Sequence, residues 1–190
     1  MKVTREEAQR NRERVIEGAA KLYREHGFDG VGVADLMKSA GLTHGAFYGQ
    51  FESKDELMAH ACAKGFEQAL KNWDKACARA PGAEFEEIVR TYLSDAHRDK
   101  PGYGCVVAAL GGEVARQSEA VRASVGEGVA LQIEALSTMV TGGTPQARRA
   151  RAIQSFATLV GAMVLARAVN GDPLSDEILE TVAQGMTRAR

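Results

Sequence analysis

The sequence predicts an all-α protein of about nine helices. Apolar residues recur at helical spacing along most of the 190 residues, while β-branched residues are scattered and form no long alternating run. A break near residue 50 divides the chain into a compact three-helix head, residues 1–52, and a larger helical body, residues 53–190. Further helix breaks are expected at Pro81-Gly82, Lys100-Pro101-Gly102, Gly142-Gly143 and Gly171-Asp172-Pro173.

The composition is that of an ordinary globular chain, with 45% hydrophobic and 26% charged residues. No charge-free apolar run approaches the roughly 18 residues of a membrane span, so we expect no membrane partner. Residues 1–7 lead into charge, which favours the absence of a secretory signal and a cytoplasmic location. The three cysteines, Cys62, Cys77 and Cys105, form no Cys-x-x-Cys pair, so we expect neither disulfides nor a metal site. No cofactor is predicted.

The head is predicted to contain a helix-turn-helix. A first helix over about residues 10–26 has one apolar face and ends at Gly27, since glycine is common just beyond a helix C-terminus. Two short helices follow over about residues 34–40 and 44–49, and Gly41 suits a left-handed turn between them. A long helix, a short helix, a tight turn and a second short helix are the result.

The second short helix carries residues suited to contact with DNA. In a helix-turn-helix this helix enters the major groove, and its N-terminal residues face base edges and phosphates. Thr43 suits the N-cap, Gly45 and Ala46 are too small to block close approach, and the Tyr48 hydroxyl can reach a phosphate. In the alternative interpretation the turn merely ends one helix, and Phe47 and Tyr48 are both core aromatics. The spacing of apolar residues does not distinguish between these two interpretations.

The net charge of the head does not by itself indicate DNA binding. The formal net charge of the chain is −1, and residues 1–60 hold nine basic and ten acidic residues. Because proteins that bind DNA neutralise phosphates, the contacts must come from a local arrangement of bases. Four arginines lie between positions 5 and 14, and we expect them to form an arm that follows the DNA backbone.

A capping box is predicted to begin the helix that connects the head to the body. The run Ser53-Lys54-Asp55-Glu56 has the Ser-x-x-Glu pattern, and the helix should continue towards Arg79. Five more helices are expected over about residues 84–98, 104–116, 119–139, 144–169 and 175–187.

An ordered series of motifs resembles the DNA-binding head of the tetracycline-repressor (TetR) family. The series is Gly27-Phe28-Asp29-Gly30, Val33, Asp35-Leu36, Ala40-Gly41-Leu42-Thr43-His44-Gly45-Ala46-Phe47-Tyr48, Phe51 and Ser53-Lys54-Asp55-Glu56-Leu57. It covers about residues 10–60. The resemblance implies DNA-binding roles for Thr43, His44, Gly45, Ala46 and Tyr48, and a phosphate contact for Lys54. Gly32 and Gly49 stand where the family often has polar residues. Glycine has no side chain to contact a phosphate, so we expect two contacts with the DNA to be absent here.

The last two predicted helices have apolar faces that could form a dimer interface. Small and branched residues on the eighth helix allow close helix approach, although the same pattern is typical of an internal core helix. The resemblance implies that these helices dimerise, through Ile153, Ala157, Val160, Gly161, Val164, Ala168, Ile178, Leu179 and Val182. A two-fold dimer implies a palindromic operator.

Aromatic residues between the head and this interface could line a ligand cavity. The resemblance implies a small-molecule inducer of unknown identity, and the candidates are Phe66, Trp73, Tyr92, His97, Tyr103 and Cys105. Cys105 lies near a predicted helix start, whose dipole would lower its thiol pKa. The segment around it is similar to one in electrophile- and oxidant-sensing members of the family, where a cysteine is the trigger. A buried structural cysteine is the alternative.

These observations predict a DNA-binding transcriptional regulator. We expect a homodimeric repressor that leaves a palindromic, double-stranded operator when a small ligand binds the body or a thiol there is modified. The sequence has no dinucleotide-binding, P-loop, metalloprotease or nucleophile-elbow motif. An enzyme using Cys105 and His97, or a pure interaction module, are the competing interpretations.

Overall fold

The computed structural model describes residues 4–188, so the outermost residues of both expected domains, 1–3 and 189–190, lie outside the described residues. Within residues 4–188 the fold is all-α, as predicted, with no strand. Nine α-helices run in order: α1 Arg5–His26, α2 Val33–Ser39, α3 Lys54–Arg79, α4 Glu84–Tyr92, α5 Asp95–Asp99, α6 Val106–Val114, α7 Glu119–Met139, α8 Pro145–Ala168 and α9 Pro173–Arg188. Two short 3-10 helices complete the list, at His44–Gly49 and Pro101–Tyr103. The first is called the recognition helix below.

Several helix boundaries differ from the expected ones by one or more residues, and three of these differences have a clear local reason. The first helix begins at Arg5 because the Thr4 hydroxyl accepts a hydrogen bond from the Glu7 N–H at 3.2 Å. The single helix expected over residues 84–98 is two helices, since the Ser94 hydroxyl accepts from the His97 N–H at 3.3 Å and starts α5. The helix expected from residue 104 begins at Val106 because the residues before it form a separate 3-10 turn.

Two hydrophobic clusters form the core. The head cluster joins α1, α2 and the recognition helix to the first half of α3, and it includes residues of α6 and α7. The body cluster joins the second half of α3 to α4, α7, α8 and α9. The helix α3 therefore passes through both clusters and packs along α7. Because α6 and α7 complete the head cluster, the head is not an isolated unit, and the expected boundary at residue 52 stays a prediction.

No helix within residues 4–188 combines the length and the apolar character that a membrane crossing requires.

Candidate functional site

The turn before the recognition helix has the predicted left-handed geometry. Gly41 has a φ of 71°, a value that residues with a Cβ rarely adopt. Its N–H donates to the Lys38 carbonyl at 2.9 Å, and the Leu42 N–H donates to the Met37 carbonyl at 2.9 Å. These two bonds close the end of α2 and set the direction in which the recognition helix leaves it.

The recognition helix presents a polar face to solvent and a single aromatic ring to the core. Phe47 is buried beside Phe51, with ring centres 5.5 Å apart, whereas Tyr48 is 71% exposed. The alternative with two core aromatics is therefore right only for Phe47. The His44 ring lies edge-on to the Tyr48 ring, with ring centres 6.2 Å apart. Thr43, His44 and Gly45 are exposed, and Ala46 is half-buried.

Two details of this helix differ from the expectation. It is a 3-10 helix, and Thr43 stands at its N-cap position without making a side-chain capping bond. A 3-10 helix has three residues per turn, so its side chains point differently from those of an α-helix. No atom comes within 4 Å of a Cβ built on Gly45 or Gly49, so this surface is open to a partner.

Two of the four arginines near the N-terminus hold the helix-turn-helix together. Arg12 donates to the Gln50 carbonyl and, at 2.7 Å, to the Glu56 carboxylate, and its guanidinium lies 4.3 Å from the centre of the Phe51 ring. Arg14 donates to the Ala40 carbonyl at 2.6 Å. The expected basic arm is therefore wrong in part, because these arginines belong to α1 and brace the head from within.

The start of α3 is capped as predicted, with a small shift. The Ser53 hydroxyl accepts from the Glu56 N–H at 3.1 Å. The Glu56 carboxylate accepts from the Glu52 N–H at 2.7 Å. In a capping box the donor is the N–H of the N-cap residue, which here is Ser53. The hydrogen bond from Arg12 is the largest of the effects that hold the Glu56 pKa below its usual range.

Lys54, the candidate phosphate ligand, also has an internal partner. Its half-buried side chain donates to the Phe28 carbonyl at 2.7 Å, and its ammonium lies 5.9 Å from the centre of the Tyr23 ring. The contact joins the start of α3 to the loop after α1. The phosphate contact of Lys54 stays a prediction.

A buried arginine joins the head to the body. Arg24 of α1 is 5% exposed, and it donates to the Gly102 carbonyl from Nε at 2.9 Å and from Nη2 at 2.5 Å. Nη2 also donates to the Gln68 amide oxygen at 3.1 Å. Burial lowers the pKa of this guanidinium. The sequence analysis missed this role, because Arg24 and Gly102 lie far apart in the chain.

The body contains a cavity of about 440 Å³. Five of the six candidate ligand residues line it, namely Trp73, Tyr92, His97, Tyr103 and Cys105. The sixth, Phe66, does not line it, because it is buried in the head cluster against α7. A Cβ on Gly128 would overlap the Phe66 ring, so the missing side chain at Gly128 makes room for it.

His97 holds the wall of this cavity in its neutral form. Its Nε2 accepts from the Cys105 N–H at 2.9 Å, so the ring proton must lie on Nδ1, which donates to the Tyr92 carbonyl at 2.7 Å. Burial lowers the pKa of His97 to about 4. The imidazole therefore joins the end of α4 to the start of α6 and has no free nitrogen for catalysis.

Cys105 is a buried residue rather than an exposed thiol. It is 4% exposed, and burial raises the pKa of its thiol, the opposite of the shift expected from a helix dipole. The elevated pKa reduces the thiolate fraction available for reaction with electrophiles.

Two other polar groups of the cavity lack hydrogen-bond partners. Both amide atoms of Gln132, a fully buried residue of α7, are unpaired, and so is the hydroxyl of Tyr92. The sequence analysis missed Gln132. A single amide on an otherwise apolar helix face is the signal that could have found it.

The expected dimer residues divide between an exposed face and the core. Ile153 and Val164 of α8 are each 45% exposed, and Leu165 beside them is 58% exposed. Ala157 and Ala168 are exposed as well, whereas Val160, Gly161, Ile178 and Val182 are half-buried. Leu179 is only 3% exposed and packs in the body cluster, so it is unavailable for a partner.

Within the described residues, no group of three or more His, Cys, Asp or Glu side chains is placed to hold a metal ion.

The head matches a known family, and the fold of the whole chain matches solved members of it. Residues 15–61 match the family described as bacterial regulatory proteins, tetR family. The HTH-type transcriptional regulator TtgR of Pseudomonas putida is 40% identical over 55 residues, which are 29% of this chain and 26% of that protein. The regulator AcrR of Shigella flexneri is 32% identical over 56 residues, 30% of this chain and 26% of that protein. The chain thus matches about a quarter of the length of these curated relatives.

The structural likeness extends along nearly the whole chain. The reduced form of E. coli NemR has a TM-score of 0.77 at 22% identity, covering 94% of this chain and 96% of that one. A TetR-family transcriptional regulator from Agrobacterium tumefaciens has a TM-score of 0.78 at 20% identity, covering 96% and 98%. The TM-scores show that the fold is shared, and at identities this low the likeness shows the fold alone.

The fold and the exposed recognition helix are those of a helix-turn-helix protein. Residues 15–61 match the TetR family of bacterial regulatory proteins, and nearly the whole chain shares the fold of a solved TetR-family regulator. Both ring nitrogens of His97 are bonded to the backbone and the Cys105 thiol is buried with a raised pKa, so this geometry does not support the interpretation of the two residues as a catalytic pair.

The stability of the protein should depend on pH through His97. Its folded pKa of about 4 lies below the ordinary value of 6.5, so neutral His97 contributes stability that is present above pH 6.5 and is lost as the pH falls through about 4. Between these values we expect the free energy of unfolding to fall by on the order of 3 kcal/mol more in the wild type than in His97→Gln. Urea denaturation at a series of pH values measures this. The exposed His26, replaced by Gln, is the control, and equal slopes for all three proteins would contradict the assignment.

Proposed function

We propose that this protein is a homodimeric repressor that binds a palindromic operator and is released from it by a small molecule bound in the body cavity. The observation that carries the proposal is the exposed polar face of the recognition helix, held in place by the buried Phe47 and by Arg12 and Arg14. The names of the curated relatives as HTH-type transcriptional regulators support it. We infer that the protein acts in the cytoplasm, where its operator DNA is.

The exposed residues suggest a division of roles on DNA. Tyr48 and Thr43 carry hydroxyls that can donate to phosphates, while His44 can reach a base edge. Gly45 and Ala46 allow the backbone to approach the groove closely. Lys54 donates one ammonium proton to Phe28, which leaves two others for a phosphate. Arg12 is engaged internally, while Arg5, Arg10, Arg14 and Lys38 are exposed bases of the head. The affinity of the head should also depend on two heads binding together.

Replacing residues of the recognition helix should separate affinity from specificity. Tyr48→Phe removes a hydrogen bond to a charged phosphate, so we expect binding to all sequences to weaken by roughly 10- to 100-fold. His44→Ala should instead change the preferred base at one position of each half-site. Selection of bound sequences from a random DNA pool and fluorescence anisotropy measure these effects.

The matched control for Tyr48 is Thr138→Val, which removes an exposed hydroxyl from α7 in the body. It should leave DNA affinity unchanged. A selection that returns no enriched palindrome would contradict the repressor function and favour a pure interaction module.

The exposed face of α8 supports the dimer. One side of α8 packs into the body cluster, while Ile153, Val164 and Leu165 form a second apolar face that is open in a single chain. Small residues along this face, Ala157, Gly161 and Ala168, allow a second helix to approach closely. Because a palindromic site needs two recognition helices about one turn of DNA apart, this face would set their spacing.

Val164→Glu should convert the dimer to a monomer, since it places an unpaired carboxylate in an apolar interface. We expect the mass measured by light scattering to halve and operator affinity to fall by at least roughly tenfold. Leu131→Glu is the matched control, because Leu131 is an exposed leucine of α7 outside this face. A dimer that persists in Val164→Glu at the same concentration would place the interface elsewhere.

Two contacts could transmit ligand binding to the head. Trp73 and Ala69 line the cavity from α3, the helix whose start follows the head directly. Tyr103 and Gly104 line it next to Gly102, whose carbonyl is held by Arg24 of α1. We infer that a ligand displaces both contacts together and thereby changes the spacing of the two heads. The buried thiol and raised pKa of Cys105 favour this non-covalent release over thiol modification.

A double-mutant cycle tests this coupling without a ligand. Ala69→Phe fills part of the cavity, and we expect it to weaken operator binding by roughly 5- to 150-fold. In an Arg24→Met background the same substitution should have a smaller effect, because the contact with Gly102 is absent. Ala78→Phe on the exposed side of α3 is the control, and it should leave operator affinity unchanged. Additive effects of Ala69→Phe and Arg24→Met would contradict the role of Arg24.

A further inference from the structure

We propose that the cavity takes an uncharged, mainly apolar molecule that carries a carboxamide-like group, with a hydrogen-bond donor next to an acceptor. The inference rests on the proposed function only in taking this cavity as the ligand site. It names the chemical class of the ligand, which the fold by itself does not determine.

Gln132 is the first observation. It lies on the buried face of α7 with Gly128 and Leu136, and its side chain is 0% exposed. Its amide nitrogen donates no hydrogen bond and its amide oxygen accepts none within the protein. Buried amides are almost always paired because water no longer compensates their polarity. Because the amide is 0% exposed although Gln132 lines the cavity, we infer that the side chain turns towards the cavity when a ligand supplies both bonds.

The required group follows from the chemistry of an amide. The Gln132 nitrogen needs an acceptor, and the Gln132 oxygen needs a donor. A carboxamide or lactam offers both on adjacent atoms and can pair with Gln132 through two parallel hydrogen bonds. A carboxylate offers acceptors only, so it would leave the Gln132 oxygen unpaired and facing a negative charge.

Tyr92 supplies a second polar contact at the end of α4. Its buried hydroxyl has no nitrogen or oxygen partner among the described residues, and the hydrogen bond that it can donate to the Cys105 thiol lowers the pKa of that thiol. A hydroxyl can donate to a ligand carbonyl or accept from a ligand N–H. The neighbouring His97 cannot compete for the ligand, because both of its nitrogens are bonded to the backbone.

The charges around the cavity exclude a cationic ligand. No aspartate or glutamate lines the cavity, whereas Lys100 does. The guanidinium of Arg167 lies behind Gly104 and donates to the His97 and Arg98 carbonyls at 2.7 and 3.1 Å. A cation would lose its hydration and meet like charges here, without a carboxylate to compensate.

The apolar part of the ligand is expected to be flat. The remaining lining is small or aromatic, with Ala69, Ala76 and Ala96 beside Trp73. Alanines leave a smooth wall, and the indole ring offers a surface on which another ring can pack. A two-ring aromatic body is smaller than the cavity and leaves the amide free to reach Gln132.

Three probes of the same shape test the proposal: 2-naphthamide, 2-naphthoate and 2-naphthamidine. They differ only in the polar group, which is neutral with donor and acceptor, anionic, or cationic. We expect 2-naphthamide to bind the full chain with a Kd of about 1 mM or lower, as a ligand of this size can. Isothermal titration calorimetry and ligand-observed NMR measure the binding in the absence of DNA. The anion and the cation should bind at least roughly tenfold more weakly.

Gln132→Leu is the decisive variant, because leucine has a similar size and removes both polar atoms. We expect it to weaken 2-naphthamide binding at least roughly tenfold and to abolish the preference for the amide over the acid. Tyr92→Phe should weaken binding less and leave the preference in place. Gln146→Leu, at an exposed glutamine of α8, is the control and should bind as the wild type does.

The inference is overturned if 2-naphthamide does not bind, if the acid or the amidine binds as tightly, or if Gln132→Leu binds unchanged. Operator binding is measured separately. An amide that binds through Gln132 but never releases the operator would support the ligand class and contradict the proposed release. Failure of every amide to bind, with release by some other small molecule, would contradict the ligand class and support the proposed release.

Discussion

Arg24 of α1 joins the head to the body through two hydrogen bonds from its guanidinium to the Gly102 carbonyl. It places a guanidinium inside the protein without a carboxylate partner, which is costly unless its N–H groups are bonded. The backbone must therefore bring a carbonyl to it, and the Pro101–Tyr103 turn does so. A Cβ on Gly65 would overlap Arg24 and Val106, so α3 and α6 can close around the guanidinium only because Gly65 has no side chain. Head and body consequently pack as one unit.

Contacts from α1 and α6 hold the parts of the head in place. Arg12 and Arg14 hold the recognition helix from α1, while Glu113 of α6 accepts from the Phe28 N–H at 2.9 Å. Arg12 and Arg24 are used for internal contacts, whereas Arg5, Arg10 and Lys38 remain exposed on the head. A base that makes an internal contact adds rigidity to the head and is less free to neutralise a phosphate.

The wall of the cavity is well ordered except at two polar side chains. His97, bonded through both nitrogens, fixes the junction of α4 and α6, and Cys105 is buried beside it with a poorly ionised thiol. The unpaired polar atoms of Gln132 and Tyr92 are the exception in this ordered wall. The cavity therefore combines an apolar surface with two polar groups that have no nitrogen or oxygen partner among the described residues.

Features that depend on neighbouring residues could be predicted from the amino-acid sequence. Gly27 ends α1, Gly41 makes the turn and Ser53 caps α3, because backbone conformation and capping bonds act over a few residues. The break at Ser94 was also local, and the sequence analysis missed it because the apolar period continues across it. Tertiary contacts decide which basic side chains stay exposed on the head and which polar groups line the cavity. Arg12, Arg24 and Gln132 have partners or neighbours far away in the chain, and helical periodicity carries no information on such contacts.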